Sequence, residues 1–419
     1  MTRFESAKEQ YAAWGVDVEK ALAALREVPV SIHCWQGDDV TGLEGSGQAL
    51  SGGIQATGDY PGRARSFEEL TADFLKACSL IPGKKRLNLH ASYAVFEEGQ
   101  RADRDGLLPE HFAKWVAFAK ENGLGIDFNP TFFSHPMVKG GLTLSSPLEE
   151  VRAFWVRHGI QCRRIASYMA GELGSPVLCN VWIPDGLKDI PADRLGPRLR
   201  LQKSLDEIFA EKLPGVLDCV ESKVFGIGLE SYTVGSAEFY LGYACTHPGV
   251  YNLLDSGHYH PTECISDKIS SLLTVFDKVP LHVSRPVRWD SDHVVLYQEE
   301  IQEIAKEIVR NGALEKVLIG LDFFDASINR VAAWVIGTRS MEKALLYALL
   351  QPWEDMKNMQ EEGRFTELLM TGEELKTLPF GDVWEHYCQM QGVPGGRDWF
   401  KEVEAYERDV LLKRIQEEV

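Results

Sequence analysis

Eight apolar runs rich in β-branched residues recur along the chain, and each has the composition of a buried strand. These runs cover residues 29–35, 86–92, 124–132, 176–184, 216–223, 250–260, 279–292 and 316–325. Helical apolar spacing separates them over 67–81, 109–123, 147–174, 195–213, 263–278 and 297–312. Eight strands that alternate with helices predict an α/β protein built as a (β/α)8 TIM barrel.

Local signals mark several helix ends within this pattern. Ser146 and Pro147, followed by two glutamates, are typical of a helix start. Gly123 and Gly312 stand where a helix-terminating glycine is expected. The sequence therefore predicts helix boundaries as well as helices.

The pattern changes at both ends of the barrel region. Past Asn329 it turns wholly helical over 331–351, and a charged region follows. We predict a barrel with an N-terminal helix over residues 1–330 and a helical extension over 331–419, with oligomerisation as its expected role. A glycine-rich polar segment over 37–66 either builds or covers a site, or is a surface insertion.

Composition restricts the partners of this protein. Its 62 acidic and 44 basic residues give a net charge of −18, which argues against nucleic acid or an anionic membrane as the main partner. Eight scattered cysteines without a CxxC pair indicate reduced thiols. The first residues lack the apolar stretch of a secretory signal, and there is no apolar run of membrane length. We therefore expect a cytoplasmic protein.

Acidic and histidine side chains recur at the ends of the last four strand runs. Because the carboxyl ends of all strands meet on one face of a barrel, these side chains are expected to converge. Four of them, from consecutive strands, are expected to hold one cation: Glu221, Asp255, His282 and Asp322. A second cation is expected on His258, Asp290 and Asp292. Carboxylates suit Mg²⁺ and Mn²⁺, and imidazole moves the preference toward Mn²⁺, Co²⁺ or Zn²⁺. Taken singly, each residue is equally well explained as a strand-end cap or a surface residue.

Other strand-end residues are candidates for catalysis or substrate binding. Lys223, beside Glu221, is either a buried cation that polarises a substrate oxygen or a solvated lysine. His90 and Trp182 supply either a hydrogen-bonding group and a sugar-stacking wall or plain core packing. Asp325, at the end of the last run, is a third substrate-binding candidate.

The motifs that carry these residues resemble one known family along the whole chain. In order they are SIHCWQGDDV (31–40), GGIQATGDYPG (52–62), RLNLHA (86–91), ESKVFGIG (221–228), ESYTVGSAEFY (230–240), GHYHPTE (257–263), HVSRPVRWDSDHV (282–294) and GLDFFDASINR (320–330). Together they are similar to the segments of L-rhamnose isomerase. The third glycine of a dinucleotide-binding loop is missing after GIG, because position 231 is serine.

This resemblance implies a metal-dependent aldose–ketose isomerase, an intramolecular oxidoreductase of rhamnose catabolism that interconverts L-rhamnose and L-rhamnulose. It implies a homotetramer that prefers Mn²⁺, with two divalent metals per subunit and Co²⁺, Mg²⁺ or Zn²⁺ as alternatives. It assigns Glu221, Asp255, His282 and Asp322 to a structural metal. It assigns His258, Asp290 and Asp292 to a catalytic metal. Lys223 and Asp322 are the expected catalytic residues, in a metal-assisted 1,2-hydride shift within the open-chain sugar.

Two other function classes fit the same strand-end residues. A two-metal barrel hydrolase also collects histidines and aspartates at strand ends. Such an enzyme needs cations for a phosphate, and Arg285 and Arg288 are the candidates. A sugar-binding protein with purely structural metals is the non-catalytic alternative.

Overall fold

The computed structural model describes residues 1–45, 50 and 54–416 of the chain. Eight parallel strands form a closed barrel in which each strand pairs with its neighbours in sequence and the last pairs with the first. They are β1 Pro29–His33, β2 Lys84–His90, β3 Gly125–Asn129, β4 Val177–Val181, β5 Val216–Glu221, β6 Val250–Asp255, β7 Val279–Val283 and β8 Val317–Leu321. The predicted TIM barrel is confirmed.

Helices follow every strand and cover the barrel. Two helices precede it where the sequence analysis expects one: α1 Arg3–Ala12 and α2 Val18–Glu27. The covering helices are α3 Phe67–Cys78, α4 Ala113–Glu121, α5 Glu149–Leu173, α6 Leu195–Ile208, α7 Ala237–Thr246, α8 Ile265–Leu273, α9 Glu299–Arg310 and α10 Arg330–Leu349. Among the described residues, no helix combines the length and the apolar character needed to cross a bilayer.

The structure corrects several predicted boundaries. The runs 250–260 and 279–292 yield strands that end at Asp255 and Val283, because their polar residues belong to the loops after the strands. Helix α5 begins at Glu149 rather than at Pro147, and the Ser146 hydroxyl accepts the backbone N–H of Leu148 at 3.2 Å. Helix α7 was missed because AEFYLGYACT has apolar or small residues on most sides.

The two predicted helix-terminating glycines adopt the expected backbone. Gly123 and Gly312 have φ angles of 63° and 61°, in the left-handed region that a side chain disfavours. Each comes two residues after the last helical residue, with Asn122 and Asn311 between.

Helix α10 belongs to the barrel although the sequence analysis assigns it to the extension. It packs against β1 and the helices α2, α3 and α9, and Trp334 Nε1 donates to the carbonyl of His33 at 2.8 Å. Helix α10 is buried on nearly all sides, and even its polar residues Arg339 and Glu342 are buried. The extension proper follows it, with α11 Trp353–Glu361, α12 Phe365–Leu375, α13 Phe380–Met390, α14 Asp398–Tyr406, a π-helical turn Glu407–Leu411 and α15 Lys413–Gln416.

The end of the extension is fastened to the long loop after β1. Tyr60 Oη donates to Glu407 Oε2 at 2.6 Å, and Arg414 donates to the Gly62 carbonyl at 2.9 Å. Arg414 also binds both carboxylate oxygens of Asp73 on α3 at 2.7 and 2.8 Å. Residues 46–49 and 51–53 of the 37–66 loop lie outside the described residues.

Candidate metal centre

Four consecutive strands bring their terminal polar side chains to one point. Glu221 and Asp255 are the last residues of β5 and β6, His282 is the fourth residue of β7, and Asp322 follows β8. One ligand atom from each lies within 4.8 Å of the others. Glu221, Asp255 and His282 are buried, and Asp322 is half-buried. This is the first group of residues expected from the sequence.

A second group overlaps the first, with one difference from expectation. Asp255, His258 and Asp290 offer atoms within 4.8 Å of one another, so Asp255 is shared between the groups. Asp292 was expected here, but its carboxylate is not part of this group, although it lines the same cavity. Its φ of 47° is unusual for a non-glycine residue and marks strain in the loop after β7.

The two histidines turn toward Glu221. Glu221 Oε1 lies 2.9 Å from His258 Nδ1, and Oε2 lies 3.2 Å from His282 Nδ1. Burial disfavours the charged carboxylate, but these imidazoles lower the pKa of Glu221 well below its usual range. Against the opposing effect of burial, Glu221 and Asp322 raise the pKa of His282 to about 9.

Three other acids, Asp255, Asp292 and Asp322, have too few positive charges near them. Burial, with the nearby Glu221 and Asp322 carboxylates, raises the pKa of Asp255 to about 8. Burial also raises the pKa of Asp322, and burial together with Asp290 raises that of Asp292 well above the ordinary value. A divalent cation would relieve this excess of negative charge.

Lys223 is the ammonium that faces this cluster. Its Nζ lies 3.2 Å from His258 Nε2, contacts the Asp290 carboxylate and stands 5.6 Å from the centre of the Trp182 ring. Burial opposes its charge, but Asp290 and Asp292 raise the pKa of Lys223. Lys223 is therefore a buried, charged donor rather than a solvated lysine.

The donor atoms fit a metal ion by their chemistry and by their lack of partners. The buried atoms His282 Nε2 and Asp290 Oδ1 have no hydrogen-bond partner among the described residues. Buried polar atoms are normally satisfied, so such a concentration calls for a ligand. Carboxylate oxygens with imidazole nitrogens suit Mn²⁺ and its neighbours.

A cavity opens onto the cluster. The metal-cluster residues form one side of it. The remaining lining residues are Trp35, Val40, Ile54, His90, Asn129, Phe133, Asn180, Trp182 and Phe324. The long loop after β1 thus contributes to the site through Val40 and Ile54.

The predicted substrate-binding residues divide into two that line the cavity and one that does not. His90 and Trp182 line it. Asp325 is not among its lining residues in the described part of the chain, and its carboxylate accepts from Ser327 N at 2.8 Å and Ser327 Oγ at 2.5 Å.

Sequence reasoning missed the residues that orient the acids. Trp35 Nε1 donates to Asp322 Oδ1 at 2.9 Å, and Asn180 Nδ2 donates to Glu221 Oε2. Such partners fix the direction in which a carboxylate presents its free oxygen. Trp35 ends the predicted run 29–35, so the strand-end rule used for the acids would have found it, whereas Asn180 lies in the middle of the run 176–184.

Known proteins resemble the whole chain. The family model for L-rhamnose isomerase (RhaA) matches residues 1–414. L-Rhamnose isomerase from Listeria innocua is 56% identical over 414 residues, which cover 98% of each chain. L-Rhamnose isomerase from Mannheimia succiniciproducens is 57% identical over 414 residues, again covering 98% of each chain. A solved D-tagatose 3-epimerase-like protein is 14% identical, with a TM-score of 0.49 over 76% of this chain and 97% of its own.

Proposed function

The chain belongs to the L-rhamnose isomerase family, and on that premise we propose that it interconverts L-rhamnose and L-rhamnulose in rhamnose catabolism. This aldose–ketose isomerisation is an intramolecular oxidoreduction that needs no external electron carrier. The convergence of Glu221, Asp255, His282 and Asp322 beside a small-molecule cavity carries the proposal. Membership of this family does not favour the alternative function, a two-metal barrel hydrolase.

Each subunit is proposed to hold two divalent metals, with Mn²⁺ preferred and Co²⁺, Mg²⁺ or Zn²⁺ as alternatives. Glu221, Asp255, His282 and Asp322 would hold the structural ion. His258, Asp290 and Asp292 would hold the catalytic ion. Bound cations of this kind orient sugar oxygens and polarise a carbonyl.

The buried ammonium of Lys223 is proposed to serve the substrate carbonyl. Its position between His258 and Asp290 keeps it charged. It donates to O1 of the open-chain aldose, and this interaction strengthens as negative charge develops there. Once the hydrogen has moved, the same ammonium is the proton source for O1.

Asp322 is proposed to accept the proton of the O2 hydroxyl. Trp35 fixes one of its oxygens and leaves the other for this task. Loss of the proton lets O2 form the new carbonyl while the C2 hydrogen moves to C1 with its electron pair. The aldehyde carbon is reduced and C2 is oxidised, so atoms and electrons balance.

His90 and Trp182 are proposed to bind the sugar as cavity walls. Asp325 stays a prediction, because its carboxylate would have to exchange Ser327 for a sugar hydroxyl.

We also propose a cytoplasmic homotetramer in which the extension packs against another subunit. Helix α12 exposes Phe365 and Leu369, which are 62% and 69% accessible. Large apolar side chains this exposed, four residues apart on one helix, are typical of an interface.

The experiment that tests the function is metal removal followed by readdition. After chelation, Mn²⁺ should restore L-rhamnulose formation, and L-rhamnose should react faster than L-mannose or D-xylose. Metal binding with hydrolysis and no ketose would replace this proposal with the hydrolase. L-Rhamnose deuterated at C2 tests the route: deuterium kept at C1 supports the hydride shift, and loss to solvent supports an enediol.

A further inference from the structure

His90 lines the cavity, and a buried threonine contacts one edge of its ring. It is the last residue of β2, and its Nδ1 lies 3.2 Å from Thr131 Oγ1 in the loop after β3. Thr131 is fully buried, and its Oγ1 accepts the backbone N–H of Ser92 at 3.1 Å. The ring nitrogen left for the cavity is Nε2.

The protons in this contact can be assigned by elimination. The Ser92 N–H only donates, so the Thr131 oxygen accepts there. The hydroxyl proton then needs an acceptor, because a buried donor without one costs about 1–3 kcal/mol. Among the described residues, His90 Nδ1 is the acceptor within hydrogen-bond distance of that hydroxyl. Nδ1 therefore carries no proton, and a neutral ring carries it on Nε2.

We propose that Thr131 is a positioning residue that fixes His90 as the Nε2–H tautomer, so that His90 offers the cavity a hydrogen-bond donor rather than a base. The oxygen that receives this bond is a hydroxyl or ring oxygen of the bound sugar. That last step rests on the proposed function, whereas the tautomer does not.

The surroundings keep His90 neutral and immobile. Burial, with the nearby His282, lowers the pKa of His90 to about 3. Its ring meets Trp35 and Phe133 edge-on, with centroids 4.8 and 5.5 Å away. The imidazole therefore has neither a second charge state near neutral pH nor room to flip.

Thr131 itself is held by backbone contacts on both sides. Its N–H donates to His158 Nε2 at 2.9 Å, and its carbonyl accepts from Arg104 at 2.8 Å. His158 Nδ1 lies 2.9 Å from the Arg104 carbonyl, so His158 must be the opposite, Nδ1–H tautomer. Two neighbouring histidines are thus set in opposite tautomers by their partners.

The Pro130 carbonyl is the competing partner for His90. It faces the ring and, as an acceptor, favours a ring N–H directed at it. The Thr131 hydroxyl decides against it by donating. Without that hydroxyl, the carbonyl is the remaining partner, and the tautomer should switch.

Neutron diffraction from crystals of the Mn²⁺-loaded protein in D₂O tests the assignment. Deuterium is expected on His90 Nε2 in the native protein and in Thr131→Ser, and on Nδ1 in Thr131→Val. Deuterium on His90 Nδ1 in the native protein would overturn the proposal. The native crystal alone decides this point if Thr131→Val does not fold.

Kinetics provide the second arm. Thr131→Val should raise KM for L-rhamnose roughly tenfold, the equivalent of one hydrogen bond, and Thr131→Ser should restore most of it. Thr338→Val is the matched control, because the buried Thr338 hydroxyl has no hydrogen-bond partner among the described residues. An inactive protein with deuterium on Nε2 would contradict the proposed function alone, and normal turnover with deuterium on Nδ1 would contradict the tautomer alone.

Discussion

The two ends of the barrel both bury charge, and they balance it differently. Near the amino ends of the strands, Asp127 accepts from Arg86 at 2.8 and 2.9 Å, from Ser31 Oγ at 2.6 Å and from Leu178 N at 3.1 Å. Although burial opposes ionisation, Arg86 lowers the pKa of Asp127. At the carboxyl ends, the pKa of Asp255 rises to about 8 because its carboxylate is buried among other acids.

This contrast separates structural charge from functional charge. Asp127 finds all its partners in its own chain, so it needs nothing from solution. Asp255 does not, and its excess charge is useful only if a cation is bound.

Glu221→Gln should abolish most activity while the barrel stays folded. The amide can keep the bond from Asn180 but loses its charge toward His258 and His282. A metal that acts as a Lewis acid supplies several kcal/mol, so turnover should fall by roughly a thousandfold. Metal analysis and ketose formation measure this, and full metal content with normal turnover would remove Glu221 from the site.

Asp127→Asn should lower the stability of the fold and leave the metal site intact. The substitution leaves the Arg86 guanidinium without its counter-charge. The free energy of unfolding should therefore fall by about 3–5 kcal/mol. Metal content per folded molecule should not change. Urea unfolding checks the effect, with Asp105→Asn as control, because its partner Arg157 is 56% exposed and the pair should contribute under about 1 kcal/mol.

Lys223→Met should separate binding from chemistry. Removal of a donor aimed at developing charge lowers kcat by roughly 100–1,000-fold, while stability and KM change less. Lys306→Met is the matched control: Lys306 also stands over an aromatic ring, Tyr347, and pairs with an acid, Glu303, but lies on α9 outside the barrel. Unchanged turnover in Lys223→Met would leave the ammonium with a structural role.

The histidines repeat the contrast in the direction of their pKa. Burial lowers the pKa values of His33, His90 and His158 to about 3, below the ordinary value of 6.5. Their contribution to stability is complete above about pH 6.5 and is lost as pH falls toward 3. The loss reaches about 1.4 kcal/mol per pH unit for each histidine.

His158→Gln should weaken the dependence of stability on pH, because about one proton fewer is taken up when the protein unfolds in acid. Urea unfolding of the native protein and the variant at pH 7 and pH 5.5 measures the difference in slope. His260→Gln is the control, because that imidazole is exposed in a surface loop. Identical slopes in all three proteins would show that folding does not lower the pKa of His158.

The sequence was sufficient where one strand carries one functional side chain. Glu221, Asp255, His282 and Asp322 were grouped correctly because a barrel places the ends of consecutive strands together. The sharing of Asp255 between two groups was not foreseen, because it depends on how the loops after β6 and β7 turn.

The sequence analysis does not predict helix α7 or the packing of helix α10 on the barrel, for a different reason. Periodicity detects a helix whose apolar residues lie on one side. Helix α7 carries small or apolar side chains on most sides, and helix α10 is buried between the barrel and the extension. The contact of Tyr60 with Glu407 was equally out of reach, because these residues lie 347 positions apart and Tyr60 does not end a strand.

The contacts of Trp35 with Asp322 and of Tyr60 with Glu407 also set a timetable for protein synthesis. Trp35 leaves the ribosome long before Asp322, and Tyr60 long before Glu407, so these contacts of the segment after β1 wait for much later parts of the chain. A nascent polypeptide that ends before Glu407 carries every proposed metal ligand but not the segment that fastens the loop after β1. Fastening of this loop is therefore a late event in synthesis, and a substitution at Glu407 acts on the loop that supplies Val40 and Ile54 to the cavity.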